Sequence, residues 1–436
     1  MTERAKLFRP LTTTLVTLAA LSLPLLGAGA VEGCKSKDPE KKPEPDAAPA
    51  ALPTASASAS APAIDASASD ASADAGDGAS ATRPSVPFVG DAGAASCKVL
   101  YGPTEMPFRG TAALGQEGAR LSIVANDSGR PRDFGFPVPP LSPPVPPQRT
   151  LSFEPMTYPP CELAGKATYC VGRGGAVKRF LQGAERELAK GRPSTRIAAA
   201  PLGEGHSLVA YLVEKVTSEG LTIQANVVLD DGEPVRLSEE GSGATQLALV
   251  PAGEKVVALY LDARTAMTPV HARELTVKDG KLVLGTDAVL TVGGPAERGV
   301  MLAAGRRDND VFALVPMPSD VTAFGMTTLK VPSPPKEDVA SKLSPYLNGI
   351  DPAPIAASRS GARVYIARVV PEGPEVGAPR ALELGHLAPD TSFVSHGLVA
   401  RGVRITDVSV HEDTAHTAWV LYGDAAHTWL SRFSCP

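Results

Sequence analysis

The chain has 436 residues, and its 42 Lys and Arg against 47 Asp and Glu leave a formal charge of −5, with the two signs mixed along its length. No basic patch and no aromatic-interleaved Lys/Arg cluster stands out, so no nucleic-acid partner is expected. Length and composition allow a large core or a closed repeat architecture, preceded by a segment too poor in apolar residues to fold.

Residues 1–33 read as an export signal. Arg4, Lys6 and Arg9 precede an apolar stretch from Leu11 to Leu26, interrupted by threonines and Pro24. A spanning helix needs roughly 20 apolar residues, so this shorter, proline-broken run is expected to be cleaved. Ala28-Gly29-Ala30 fits ordinary signal peptidase, which would release a free chain at Val31. Three residues on, Val31-Glu32-Gly33-Cys34 resembles a bacterial lipobox, with Glu32 standing where that family usually carries Ala or Ser. The resemblance implies that Cys34 is diacylated on sulfur and becomes the N-terminus of a lipoprotein.

Cysteine arithmetic favours the lipobox. The five cysteines lie at 34, 97, 161, 170 and 435, and lipidation of Cys34 uses the odd one. Four remain for two disulfides, which an oxidising compartment permits. Lys35 stands where, by the Gram-negative sorting rule, an aspartate would hold a lipoprotein in the inner membrane. The resemblance therefore points to a lipid anchor in the outer membrane of the cell envelope; a soluble secreted or periplasmic protein is the alternative.

Residues 34–94 run from "KSKDPEKKPEPD" into Ala/Ser/Pro/Asp-rich sequence almost devoid of large apolar side chains. Such a segment cannot offset its ordering entropy by burial. It is expected to be a disordered tether whose ends lie ~40 Å apart on average.

From 95 to 436 the sequence turns globular. Only "GAERELAKG" (183–191) and "PKEDVASKLSPYL" (335–347) look helical; the rest is short apolar or alternating runs separated by "EG", "DDG", "KDG" and "GG" turns, the pattern of hairpins. Five stretches repeat one plan of strand, polar turn and apolar strand. Anchored on Ala210, Ala258, Ala313, Ala367 and Ala418, they recur every 48 to 55 residues, one four-stranded unit per step. "GARLSIVAND" (118–127) and "ATYCVGRGGAVKRFL" (167–181) supply two more units.

Seven such units resemble a β-propeller, in which four-stranded sheets stand radially around a channel. The expected fold is an all-β propeller of seven four-stranded blades, to within one, with an array of β-sandwiches as the alternative. No sialidase-type Asp box, blade-ending WD dipeptide, kelch glycine series or quinoprotein tryptophan motif is present. A propeller closes its ring by building the last blade from both chain ends. Here "RITDVSV", "TAHTAWVLYG" and "HTWLSRFSC" supply three strands and "CKVLYGPTEMPF" the fourth. Of the three possible pairings this favours Cys97 with Cys435 and Cys161 with Cys170.

Candidate chemistry is thin. "HEDTAH" (411–416) has one residue too many for a zinc-binding H-E-x-x-H pair and is expected to be a solvated turn. "RRDND" (306–310) and "LDDGEP" (229–234) lack calcium-loop spacing and are expected to be hairpin turns. "VGRGG" (171–175) and "TVGGP" (291–295) precede no helix, so no phosphate cradle is implied. "EGSGAT" (240–245) holds a serine without a nucleophile motif. Arg298, Arg306, Arg307 and Arg404 are candidates for an anion-binding face, although a solvated role is the default. Trp419 and Trp429 are expected to be packing anchors. No catalytic, cofactor-binding or metal-binding residue is assigned.

The function expected is that of a monomeric, non-enzymatic envelope lipoprotein, membrane-bound through its lipid, whose propeller binds a protein or a polysaccharide. The alternative is a secreted propeller enzyme acting on carbohydrate. Charged side chains from several blades converging in one pocket with shifted titration would speak for the second.

Overall fold

The computed structural model describes residues 96–138 and 159–436, apart from short stretches at 111, 194, 204, 219, 265–266, 296–301, 319–323, 338–340, 349–353, 360, 372–379, 402–404 and 424–426. The export signal, Cys34 and nearly all of the tether lie outside the described residues. Within them the apolar runs and turn signals resolve into seven antiparallel sheets, with no α-helix and one 3-10 turn at Arg173–Gly175.

Each sheet is a blade whose first strand is innermost. Blade 1 has Ala112–Glu117, Arg120–Asp127, then Arg130–Asp133 and Phe136–Pro137 on one edge. Blade 2 has Glu162–Ala164, Ala167–Val171, Ala176–Leu181 and Ala184–Lys190. Blade 3 has Ala198–Leu202, His206–Thr217, Gly220–Leu229 and Val235–Arg236. Blade 4 has Ala244–Ala252, Lys255–Asp262 and Met267–Lys278, with Lys281–Leu284 and Ala288–Pro295 sharing the outer edge. Blade 5 has Ala303–Arg307, Asp310–Pro318, Phe324–Val331 and Ser341–Asn348; blade 6 has Ile355–Ala357, Tyr365–Pro371, Arg380–Leu387 and Phe393–Ala400. Blade 7 has Asp407–Glu412, Ala418–Gly423 and Thr428–Ser434, and its outermost strand is Lys98–Glu105 from the other end of the folded region. The innermost strands touch in sequence, blade 1 to blade 7 and back to blade 1, which closes a seven-bladed β-propeller.

The core is a set of separate layers, one between each pair of neighbouring blades. Leu208, Ala210 and Leu212 of blade 3 pack toward blade 4, while Val209 and Tyr211 of the same strand pack toward blade 2. A second strand is thus covered on both faces, which explains its unbroken apolar sequence. All five anchor alanines lie in second strands and are fully buried, but not on one face. Ala210 and Ala367 face the next blade, whereas Ala258, Ala313 and Ala418 face the previous one. A strand buried on both sides accepts a small residue on either.

The thinnest layer lies between blades 1 and 2, where the fully buried members are Val124, Cys161 and Cys170. The Cys161–Cys170 disulfide sits there, and Asn126 bridges the blades by donating to Pro159 O (2.6 Å) and Val171 O (3.0 Å). A Cβ on Gly129, whose φ is +89°, would meet Gly172 Cα at 2.6 Å. Of the glycines of "VGRGG", Gly172 therefore serves close blade contact. At the ring's seam Cys97 is bonded to Cys435, the closure expected from sequence.

Both expected helices are absent. "GAERELAKG" forms the outer strand of blade 2, with Lys178 opposite Glu187 and Phe180 opposite Glu185; of "PKEDVASKLSPYL", the last seven residues lie in the outer strand of blade 5. Their Glu, Lys, Ala and Leu favour helix locally, but an unsatisfied sheet edge beside them wins by pairing.

Candidate functional site

An innermost strand pairs on one side only, so its other edge of backbone N–H and C=O groups faces the channel axis. Seven such edges enclose a cavity of about 630 Å³ lined by residues of every blade. Ala112, Ala198, Ala248 and Ala303 of the innermost strands border it while packing into the layers between blades. Its charged lining is mixed, with one cation in excess: Arg120, Lys166, Arg196 and Arg359 against Glu117, Asp133 and Glu162.

Two ion pairs cross this space between blades that are not neighbours. Arg359, just after the first strand of blade 6, reaches the carboxylate of Glu162 on blade 2. Its guanidinium also donates to Ala199 O (2.9 Å) on blade 3 and Leu163 O (3.3 Å) on blade 2. Desolvation lowers its pKa to about 10, which still leaves it cationic at neutral pH. Arg196, leading into blade 3, donates to Asp407 Oδ1 (2.7 Å) on blade 7. Burial raises the pKa of Asp407, and the Arg196 charge opposes that rise.

His411 completes the group. It lies in the innermost strand of blade 7 and lines the same cavity. Its Nε2 is buried and has no hydrogen-bond partner among the described residues. Desolvation lowers its pKa to about 4; the Asp413 carboxylate opposes the shift and the Arg359 charge assists it. At neutral pH the ring is neutral, with a nitrogen left for a water or ligand hydroxyl. Two residues before it on the same strand, Ser409 Oγ donates to Ala112 O (3.0 Å) of blade 1 and so satisfies part of the exposed strand edge.

"HEDTAH" holds no metal pair: His411 lines the channel, while His416 is exposed and bonds Glu412 (3.0 Å). The expectation of a solvated turn is corrected at Asp413, which is buried. Its carboxylate accepts from the backbone N–H groups of Ala415 and Thr417, from Thr417 Oγ1 (2.7 Å), from Trp419 Nε1 (3.0 Å) and from Arg432 (2.7 Å). A short polar turn whose donors converge on one carboxylate can bury it.

"RRDND" and "LDDGEP" are hairpin turns, and in the second Asp230 bonds His206 while Asp231 pairs with Arg179 and Arg186. Ser242 of "EGSGAT" is buried against Ser238. Of the arginine set, Arg298 and Arg404 lie outside the described residues. Arg307 donates to Leu387 O and covers the Phe312 ring, and neither Arg306 nor Arg307 is among the residues lining the channel. Trp419 is fully buried beside Tyr101 and Phe136; Trp429 stacks on Tyr422.

Sequence reading missed Arg359, Glu162, Arg196, Asp407 and His411 as a group. They stand at different places, Glu162 and Asp407 opening first strands, Arg196 before one, Arg359 after one and His411 inside one, so no repeated sequence signal marks them.

No family model and no curated protein matches the chain. Among solved structures it is similar to a Trypanosoma rangeli sialidase in complex with the inhibitor DANA: TM-score 0.38 and 10% identity over 63% of this chain and 54% of that one. Kuenenia stuttgartiensis hydrazine synthase gives 0.38 and 9% over 60% and 75%; a Lactobacillus brevis α-L-arabinofuranosidase gives 0.33 and 11% over 54% and 93%. The match spans about half the length of the sialidase. Likeness this distant, shared with proteins of unrelated chemistry, assigns neither ligand nor reaction.

Proposed function

We propose that this is a lipid-anchored envelope protein, tethered through Cys34, whose propeller channel binds a hydroxyl-rich ligand of the carbohydrate class. The observation that carries the reading is the convergence of Arg359, Glu162, Arg196, Asp407 and His411 from four blades on one channel, with titration shifted at three of them. A wall of mixed charge, with donors and acceptors and the open edges of seven strands behind it, suits hydroxyls that both give and take hydrogen bonds. No Phe, Tyr or Trp is among the described lining residues, so recognition rests on hydrogen bonds more than on stacking. The two disulfides agree with export to an oxidising compartment.

A second reading, glycoside hydrolysis, is favoured by the same convergence with its shifted titration, the sign expected of an enzyme, and by a pair of carboxyls. Asp407, its pKa raised by burial, and Glu162, held beside Arg359, are two carboxyls in unlike settings, as an acid and its partner are in glycosidases.

The test is calorimetric titration of the mature protein with neutral and acidic oligosaccharides, together with a reducing-sugar assay on the polymers. Saturable binding that Arg359→Gln and His411→Phe each weaken at least tenfold, in variants that still unfold cooperatively, supports the channel site. Binding that neither variant changes overturns it. Sugar release abolished in Asp407→Asn would select hydrolysis. For the anchor, mass spectrometry of the mature N-terminus should find acyl-modified Cys34; a free Val31 terminus would refute it.

A further inference from the structure

Away from the channel, at the seam between blades 6 and 7, the two sulfurs that close the ring lie against a histidine pair. Cys97 Sγ, Cys435 Sγ and a ring nitrogen of His396 all lie within 4.8 Å of one another. His396 is buried, on the outer strand of blade 6. The segment carrying Cys97 is held to it: Ser96 N donates to His396 O (2.8 Å), and Ser96 Oγ lies 3.4 Å from His396 Nδ1. Behind it His386 stacks at 4.9 Å between ring centroids, with its Nδ1 2.8 Å from His396 Nε2. Nε2 is engaged by His386, and Nδ1 only by the long contact with Ser96 Oγ, whose hydroxyl has His396 O as an alternative acceptor at 3.4 Å, so Nδ1 is the nitrogen a metal would take.

We propose that Cys97, Cys435 and His396 form a latent Zn²⁺ site, opened when the seam disulfide is reduced. Two thiolates and one imidazole form a soft, nitrogen–sulfur set of the kind zinc takes. Tetrahedral coordination with Zn–S bonds of about 2.3 Å sets the sulfurs about 3.8 Å apart, so the two bonded sulfurs must part on reduction while staying beside the His396 ring. The fourth position is left to water. His386 supplies what a metal-bound imidazole needs on its far side, a hydrogen-bond acceptor that fixes its tautomer and tilt.

The chemistry is thiol–disulfide exchange followed by metallation. Two equivalents of a small thiol give up two electrons and leave as their disulfide, while the Cys97–Cys435 bond is reduced to two thiols. Binding of Zn²⁺ then releases two protons and forms two Zn–S bonds. The ring thus exchanges one covalent closure for a coordinate one, and blade 7 stays joined under reducing conditions.

The test uses the mature chain, reduced with a phosphine and titrated with Co²⁺ as a spectroscopic probe and with Zn²⁺ against a chromogenic chelator. Expected are one equivalent of Co²⁺ with thiolate-to-cobalt charge transfer and the d–d intensity of a tetrahedral site, and displacement by Zn²⁺. Cys97→Ser with Cys435→Ser should abolish the signal although the Cys161 and Cys170 thiols remain. His396→Gln, which keeps the seam disulfide when oxidised, should lower affinity at least tenfold, and His386→Phe by about 10- to 100-fold. The proposal is overturned if the reduced chain binds Co²⁺ no better than the double-serine variant, or if His396→Gln leaves spectrum and affinity unchanged. It is equally overturned if reduction unfolds the protein with and without zinc.

Discussion

Cys97 and Cys435, 338 positions apart in the chain, are joined by a disulfide that brings their Cα atoms to 4.2 Å. One residue precedes the outermost strand of blade 7 and the other follows its third strand, so the bond repeats covalently what pairing of Val99 with Phe433 and Thr104 with Leu430 does by hydrogen bonds. Chain entropy assigns ~6 kcal/mol to a loop of this length and ~2.7 kcal/mol to the loop of the Cys161–Cys170 bond, as upper bounds.

Replacing Cys97 and Cys435 by serine should therefore cost the oxidised protein about 3–5 kcal/mol, and more than replacing Cys161 and Cys170. Guanidinium unfolding gives the ranking. Limited proteolysis should cut first within residues 96–110, where blade 7 loses its outer strand. An unchanged midpoint would mean that strand pairing alone holds the seam.

Ala258 lies between blades 3 and 4 among Leu208, Ala210 and Tyr260, with no exposed surface. Ala258→Leu should destabilise by about 1–3 kcal/mol through overpacking, while Val216→Ser, at an 87% exposed position on the blade 3 hairpin, should stay within about 0.5 kcal/mol. Thermal unfolding of the two variants separates a position that sets blade spacing from one that does not.

That contrast marks what could be read from sequence. Second strands are covered on both faces, so their apolar runs and period near 50 residues reveal the propeller, its closure and the cysteine pairing. Outer strands are packed on one edge only. Glu185, Arg186 and Glu187 are exposed and under little packing constraint, so their composition points to helix although pairing makes them strand. The channel was not legible, because Glu162 and Arg359 lie 197 residues apart and meet only after the ring has closed. His411 was visible as a histidine, but its unpartnered Nε2 is a property of tertiary packing.

Asp413 ties the last turn to two strands through Thr417, Trp419 and Arg432. Burial alone would raise its pKa; the hydrogen bonds from Thr417 and the Arg432 charge more than offset this, and the pKa is lowered. A carboxyl whose folded pKa lies below its unfolded value stabilises above the unfolded value, near 4, and loses that contribution as pH falls through the folded one. Asp413→Asn should cost about 3 kcal/mol at pH 7, and the difference from the parent should shrink below pH 4. Urea unfolding at pH 7, 4 and 3 checks both parts.

His411 shifts stability in a higher pH window. Its folded pKa is lowered to about 4 by desolvation, against about 6.5 in an unfolded chain. Between these values the unfolded chain binds a proton that the folded one refuses, so stability falls as pH drops from about 7 toward 4. The contribution lost by pH 5 is about 2 kcal/mol. His411→Phe removes the titrating group and the unsatisfied Nε2 together, so its stability at pH 7 should match or slightly exceed the parent's. Parent and variant should then diverge by about 2 kcal/mol between pH 7 and 5, the parent losing more. Guanidinium unfolding at the two pH values measures this. Equal losses in both proteins would show that the ring takes up its proton in the folded channel, with a partner able to accept from the imidazolium.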